Sequence, residues 1–147
     1  MNPAASPIVP APARAVRLLH FSLTASITLL GAVFIMLVRF QHLAFGMSRD
    51  VGLVLAAIGV GLVAVASTVA RRRIPERGSD QSPDTFWANP EATGAAVLLW
   101  ALTEGAGLVG WVGYLLTGVT APAVAAVIAI GALLVLRPSR LEGEASL

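Results

Sequence analysis

Residues 95–117, AAVLLWALTEGAGLVGWVGYLLT, form an apolar run with a single formal charge, the carboxyl group of Glu104. When such a run is helical it is long enough to span the hydrocarbon core of a bilayer, which is about 30 Å thick. Glu104 stands about 15 Å into the run at 1.5 Å per residue. The stretch therefore predicts a transmembrane helix with a carboxyl near the bilayer midplane.

The composition of the whole chain indicates an integral membrane protein. Of its 147 residues, 56% are hydrophobic and 12% are charged, and the mean hydropathy is +0.81. A soluble domain of this size exposes too much of its surface to hide that much apolar area. The chain has no cysteine, which excludes disulfides, thiolate metal sites and cysteine nucleophiles. Its basic residues are all arginine, and no aromatic-rich basic patch indicates a nucleic-acid partner.

Three further apolar runs complete a predicted set of four transmembrane helices, at residues 18–38, 51–70, 95–117 and 119–136. The polar segment 71–94 contains three prolines and is predicted to be a loop. It separates the first two spans from the last two, so the spans are predicted to form two antiparallel hairpins. We therefore predict an all-α integral membrane protein whose four-helix transmembrane domain covers residues 14–137.

Both termini and the 71–94 loop are predicted to lie on the same side of the membrane. The Pro/Ala-rich tail, residues 1–13, is expected to be disordered, and the tail 138–147 to be flexible. The shared side carries eight arginines and the other side carries two: Arg14, Arg17, Arg71, Arg72, Arg73, Arg77, Arg137 and Arg140 against Arg39 and Arg49. Because basic residues accumulate in cytoplasmic loops, we expect this side to be cytoplasmic in a multi-pass protein of a bacterial-type plasma membrane.

Glu104 is the candidate ion-binding residue. An ionised carboxylate at this depth is costly, so the group is expected to be protonated, paired, or turned toward protein or water. It either binds a proton or a cation, or it is a protonated carboxyl with a structural role, which hydrogen-bonds a neighbouring helix and stabilises the packing. Trp100, Trp111 and Thr103 lie on the same or the adjacent face of the helix and are the candidate lining residues. An indole N–H can donate to a carboxylate.

Small residues mark two faces that favour close helix packing. Gly107, Gly110 and Gly113 lie beside the Glu104 stripe in the third span, and Gly59 and Gly61 lie in the second. Small residues allow the backbones of membrane helices to approach closely. Helix packing is therefore the predicted role of all five glycines.

No constellation of side chains in the sequence indicates catalysis or a cofactor. His20 and His42 flank the first span, about 33 Å apart along a straight helix, so one metal ion cannot bind both. Both are predicted to be interface histidines, and neither metal ligands nor a cofactor site is expected. Four hydroxyl residues of this span, Ser22, Thr24, Ser26 and Thr28, are expected to bond to carbonyls four residues earlier. An enzymatic activity on a lipid or a membrane cofactor remains open but is the least favoured function.

Residues 51–118 resemble the c subunit, or proteolipid, of rotary ATP synthases. The stretch GLVLAAIGVGLVAVAS (52–67) is similar to the small-residue helix of that family, and RRRIPE (71–76) or ANPEATG (88–94) to its polar loop. The stretch ALTEGAGLVGWVGYLL (101–116) is similar to its carboxylate helix. The resemblance implies that Glu104 occupies the ion-binding position. One extra predicted span lies on each side of this hairpin.

Two functions follow from these features. The first is a small membrane protein in which Glu104 binds a proton or a cation, as in a proteolipid-like subunit. The alternative is a structural or accessory subunit that packs in a larger membrane complex, with Glu104 protonated and structural. The expected partners are the lipid bilayer and either further copies of the chain or a larger complex.

Overall fold

The computed structural model describes residues 11–143, and within that range the chain is helical, with no strand. Helix α2 continues through a π-helical turn, Ala66–Ala70, and a 3₁₀ turn, Arg71–Arg73. The helices are α1 (Pro12–Phe40), α2 (Arg49–Val65), α3 (Pro83–Trp87), α4 (Pro90–Thr117), α5 (Thr120–Val135) and α6 (Pro138–Leu141).

Three helical segments are long and apolar enough to cross a membrane: Pro12–Phe40, Arg49–Arg73 and Pro90–Thr117. They contain the predicted spans 18–38, 51–70 and 95–117. The predicted span 119–136 corresponds to α5, whose 16 residues extend about 24 Å. That length is less than the hydrocarbon thickness of about 30 Å, so α5 differs from the other three helices.

Helix α4 is the centre of the fold. It packs against α5, α2 and α1, and α2 also packs against α5. The two helices predicted to form the first hairpin, α1 and α2, contact α4 far more than each other. The buried side of α4 carries three large aromatic side chains, Trp100, Trp111 and Tyr114, which give the neighbouring helices a large surface to pack against.

The bundle has two chemically different ends. At one end the segment after α1 bonds to the end of α4, with Phe45 N–H donating to the Leu115 carbonyl (3.3 Å) and Met47 N–H to the Leu116 carbonyl (3.0 Å). Gly118 ends α4 in the left-handed conformation, at φ 69°, which is accessible to glycine without strain. We call this the loop end, and it carries Arg39 and Arg49. The other end, which we call the arginine-rich end, carries Arg14, Arg17, Arg71, Arg72, Arg73, Arg77, Arg137 and Arg140.

Two helix starts shorten the predicted 71–94 loop. The hydroxyl of Ser82 accepts the Thr85 N–H at the start of α3, and the side chain of Asn89 accepts the Glu91 N–H at the start of α4. A proline follows each cap, where its missing N–H costs nothing. The patterns Ser-Pro-Asp and Asn-Pro-Glu are therefore typical of helix starts, although both lie in the segment that was predicted to be a loop.

The predicted flexible tail, 138–147, begins with a short helix, α6 (Pro138–Leu141). Pro138 and Glu142 are both buried, because α6 packs near the start of α1. The last residues of the tail that was predicted to be disordered, 1–13, are helical, since α1 begins at Pro12. Residues 1–10 and 144–147 lie outside the described residues.

Candidate functional site

Glu104 lies halfway along α4, as the fifteenth of its 28 residues. It is half-buried and stands at the edge of the exposed stripe formed by Leu98, Leu108 and Val112. Helical geometry places it between that stripe and the side of α4 that carries Trp111. Within residues 11–143, its carboxyl has no hydrogen bond and no ion pair.

The predicted lining residues do not form a hydrogen-bonded site around Glu104. Trp100 donates its indole N–H to the Leu136 carbonyl (2.8 Å), and Thr103 donates its hydroxyl to the Leu99 carbonyl (2.8 Å). The indole Nε1 of Trp111 is buried, and no residue of the described range 11–143 accepts its hydrogen. All three side chains are buried, so they pack in the interior of the bundle.

Three of the four hydroxyl groups of α1 bond within their own helix, as expected, whereas Ser26 forms no such bond among the described residues. Ser22 donates to the Leu18 carbonyl (2.7 Å), Thr24 to the His20 carbonyl (2.9 Å) and Thr28 to the Thr24 carbonyl (2.7 Å). These bonds satisfy the hydroxyl donors locally. Glu104 therefore receives no hydrogen bond from these α1 hydroxyls.

Four of the five predicted packing glycines lie where two helices approach closely. A Cβ added at Gly107 would be 2.9 Å from Ile27, and one at Gly113 would be 3.0 Å from Pro122. At Gly59 it would be 3.2 Å from the Ala106 carbonyl oxygen. At Gly110 it would be 2.6 Å from the Pro122 carbonyl oxygen.

Gly61 is the exception among the predicted packing glycines. A Cβ added there would meet no atom of the described residues within 4 Å. Gly31 of α1, which was not among the predicted packing glycines, does lie at a close contact. The ring of Trp111 packs directly over it, so that an added Cβ would clash with the ring. The approach of α1 to α4 therefore depends on a glycine in α1.

His20 and Trp100 together cap the C-terminal end of α5, a role that the sequence did not indicate. His20 was expected at an interface, but it is only 8% exposed, and its Nε2–H donates to the Leu133 carbonyl (3.0 Å). Its ring meets Trp100 edge to face, with centroids 5.0 Å apart. The last carbonyls of a helix lack partners within that helix. These two side chains supply partners for the carbonyls of Leu133 and Leu136.

A second unpredicted cluster closes the arginine-rich end, and we call Arg17, Trp87 and Glu142 the Glu142 cluster. The Glu142 carboxylate accepts the indole N–H of Trp87 (2.7 Å) and a guanidinium N–H of Arg17 (2.8 Å). Glu142 is 1% exposed. The cluster therefore joins α1, α3 and the segment after α6 through one buried carboxylate.

The contribution of the Trp100 indole hydrogen bond can be measured by comparison with Trp111, whose indole N–H has no acceptor within residues 11–143. Trp100→Phe is expected to lower the free energy of unfolding by about 1 kcal/mol more than Trp111→Phe, because only the first leaves a buried carbonyl without its donor. Both variants lose a similar ring volume. Thermal unfolding in detergent, followed by near-UV circular dichroism, measures the difference, and equal losses would contradict the assigned bond.

Comparison of the chain with protein-family models, with curated proteins and with solved structures finds no match. Within residues 11–143, no group of three or more His, Asp or Glu side chains lies close enough to hold a metal ion. The chemistry available near the middle of the bundle is therefore that of one carboxyl group with apolar neighbours.

Proposed function

We propose that the chain is an integral membrane protein in which α1, α2, α4 and α5 all cross the bilayer. The long apolar helices and their many exposed hydrophobic side chains support this placement. The distribution of arginines supports a cytoplasmic arginine-rich end. Helix α5 is short, and the side chains of His20 and Trp100 satisfy the carbonyls at its C-terminal end, as a non-aqueous environment requires.

Within this placement, we propose that Glu104 binds and releases a proton. The observation that carries the proposal is a half-buried carboxyl, midway along α4, without a partner in residues 11–143. An ionised side chain in hydrocarbon is costly, and ionisable residues at this depth usually serve function. A protonated carboxyl is neutral there, and it can lose its proton where water or a partner's cation reaches it.

A proton fits this site better than a metal ion. Metal cations take several oxygen ligands, whereas Glu104 is the only acidic residue in α4 beyond its first turn. Its position at the edge of an exposed stripe leaves it accessible to a neighbouring molecule. The proposed arrangement is similar to that of a proteolipid subunit, in which oligomerisation would place further copies of the chain beside this stripe.

A hydrophobic carbodiimide tests whether Glu104 carries an exchangeable proton, because the reagent partitions into the bilayer and reacts with protonated carboxyls. We expect the full chain in liposomes to be labelled at Glu104, and labelling to fall as the pH rises. Peptide mass spectrometry after digestion locates the label. Glu104→Gln is expected to abolish it, whereas the control Glu91→Gln, at the exposed start of α4, is expected to leave it unchanged.

Two results would contradict proton exchange at Glu104. Absence of labelling at any pH would show that Glu104 has no reactive protonated carboxyl within the bilayer. Labelling that stays constant across the pH series would indicate a permanently protonated group.

The second candidate function is an accessory subunit that packs against another membrane protein. One observation favours it, namely the open space over Gly94 and Gly105 of α4, where an added Cβ would meet no described atom within 4 Å. Small exposed residues allow a helix of a partner to approach. In this case Glu104→Gln would preserve assembly, whereas Gly105→Leu would disrupt it, as native mass measurement of the complex would show.

A further inference from the structure

A cavity of about 770 Å³ lies at the arginine-rich end. Four arginines line it from three parts of the chain. Arg71 and Arg72 come from the end of the second long segment, Arg77 from the following loop and Arg140 from α6. We call this cavity the arginine cleft.

The backbone at the end of the α2 segment explains why consecutive arginines reach different surfaces. A π-helical turn, Ala66–Ala70, is followed directly by the 3₁₀ turn Arg71–Arg73. A 3₁₀ helix has about three residues per turn, so neighbouring side chains point about 120° apart. Arg71 and Arg72 line the arginine cleft, and Arg72 and Arg73 line the cavity beside it.

The positive charge of the arginine cleft is not neutralised by the described part of the chain. Glu76 is the single acidic residue that lines it. None of the four arginines forms an ion pair with any of residues 11–143. Arg71, Arg72 and Arg140 are also exposed, so their guanidinium groups are available to an anion.

We propose that the arginine cleft binds the phosphate group of an anionic phospholipid. The guanidinium group matches phosphate oxygens with paired N–H donors. Arginine clusters at the cytoplasmic ends of membrane helices attract anionic head groups. The inference rests on the proposed membrane placement and does not depend on proton exchange at Glu104.

The neighbouring cavity favours a lipid as the source of the phosphate. Its volume is about 590 Å³, and it shares Arg72, Ile74 and Pro75 with the arginine cleft. Its lining includes one acidic residue, Glu91, and continues along α4 to Ala95 and Leu98. The side chain of Leu98 is 43% exposed. A ligand with its phosphate at Arg72 therefore has an apolar surface beside it for an acyl chain, which a free phosphate would leave unused.

Native mass spectrometry of the full chain in detergent micelles tests the proposal, with phosphatidylglycerol and phosphatidylcholine added in equal amounts. We expect the wild type to retain phosphatidylglycerol preferentially. The variant R71Q/R140Q is expected to bind it roughly 30-fold more weakly, since each of the two arginines contributes about 1 kcal/mol near a head group. The matched control is R39Q/R49Q, which removes two exposed arginines from the loop end and is expected to retain lipid as the wild type does.

Each other outcome overturns a defined part of the proposal. Equal weakening in both double variants would mean diffuse electrostatic attraction and no cleft. Displacement of phosphatidylglycerol by millimolar inorganic phosphate would assign the cleft to a soluble ligand. Failure of the wild type to retain either lipid would count against the membrane placement itself, independently of any result at Glu104.

A third variant separates a specific phosphate site from charge alone. R71K/R140K keeps both charges but loses the forked donors, so it is expected to bind phosphatidylglycerol with an affinity between those of the wild type and R71Q/R140Q. Thermal unfolding checks that each variant is folded. Wild-type affinity in R71K/R140K would show that the guanidinium geometry is not used.

Discussion

Gly110→Ala is expected to destabilise the protein by about 3 kcal/mol, which lowers the unfolding midpoint by roughly 10 °C for a chain of this size. The added Cβ would lie 2.6 Å from the Pro122 carbonyl oxygen and 2.8 Å from the Ala126 backbone nitrogen. Both are backbone atoms of α5, so no side chain can rotate away to make room. The two helices must therefore separate, and α4 and α5 form the most extensive helix contact among the described residues.

The matched control for this substitution is Gly105→Ala in the same helix. A Cβ added at Gly105 would meet no described atom within 4 Å. Replacing a glycine by alanine at an open helical position stabilises a protein by about 0.5–1 kcal/mol, because the unfolded chain loses freedom. The two variants are therefore expected to shift the unfolding midpoint in opposite directions. A shift of the same sign and size in both would contradict the close approach of α4 and α5 at Gly110.

The long helices could be predicted from the sequence because their signal is local. An apolar run of the right length predicts its own helix. The helix starts at the Ser-Pro and Asn-Pro steps were not predicted, because both lie in the segment 71–94 that was assigned to a loop. The tight packing at Gly107, Gly110 and Gly113 was also predictable, since these residues share one side of α4. Gly61 was grouped with Gly59 by composition, yet two consecutive steps of about 100° place them on different faces.

The hydrogen bonds of the interior could not be predicted, because their partners are far apart in the sequence. The acceptor of His20 is 113 residues away, and that of Trp100 is 36 residues away. Both depend on where α5 ends and on which helices surround it. The sequence therefore assigned His20 to an interface and related Trp100 to Glu104, since helical spacing relates residues only along a single helix.

The Glu142 cluster was missed for a different reason. Residues 138–147 carry charges, small residues and no apolar run, a pattern typical of a flexible tail. The stabilising contacts come from Trp87 and Arg17, which lie 55 and 125 residues away in the chain. A tail that appears polar in isolation can thus have its one critical carboxylate buried.

Glu142→Ala is expected to lower the free energy of unfolding by about 2–3 kcal/mol, the second large effect in the molecule. The substitution removes two charge-assisted bonds and leaves the buried indole N–H of Trp87 without an acceptor. The loss should stay below that of a fully buried ion pair, because the Arg17 side chain is 51% exposed and water can solvate its charge. Thermal unfolding in detergent measures the change, with Glu76→Ala as the exposed-glutamate control.

A double-mutant cycle distinguishes the buried bond from a general effect of charge. If Glu142 acts through the indole N–H, then Trp87→Phe and Glu142→Ala should be non-additive, with a coupling energy of about 1–2 kcal/mol. Raising the salt concentration should change this coupling little, because screening acts mainly on exposed charges. Additive losses, or a coupling that disappears in high salt, would instead mean that the carboxylate contributes only a surface charge. A persistent coupling would establish that the segment directly after α6 is held against α3 by a specific buried contact.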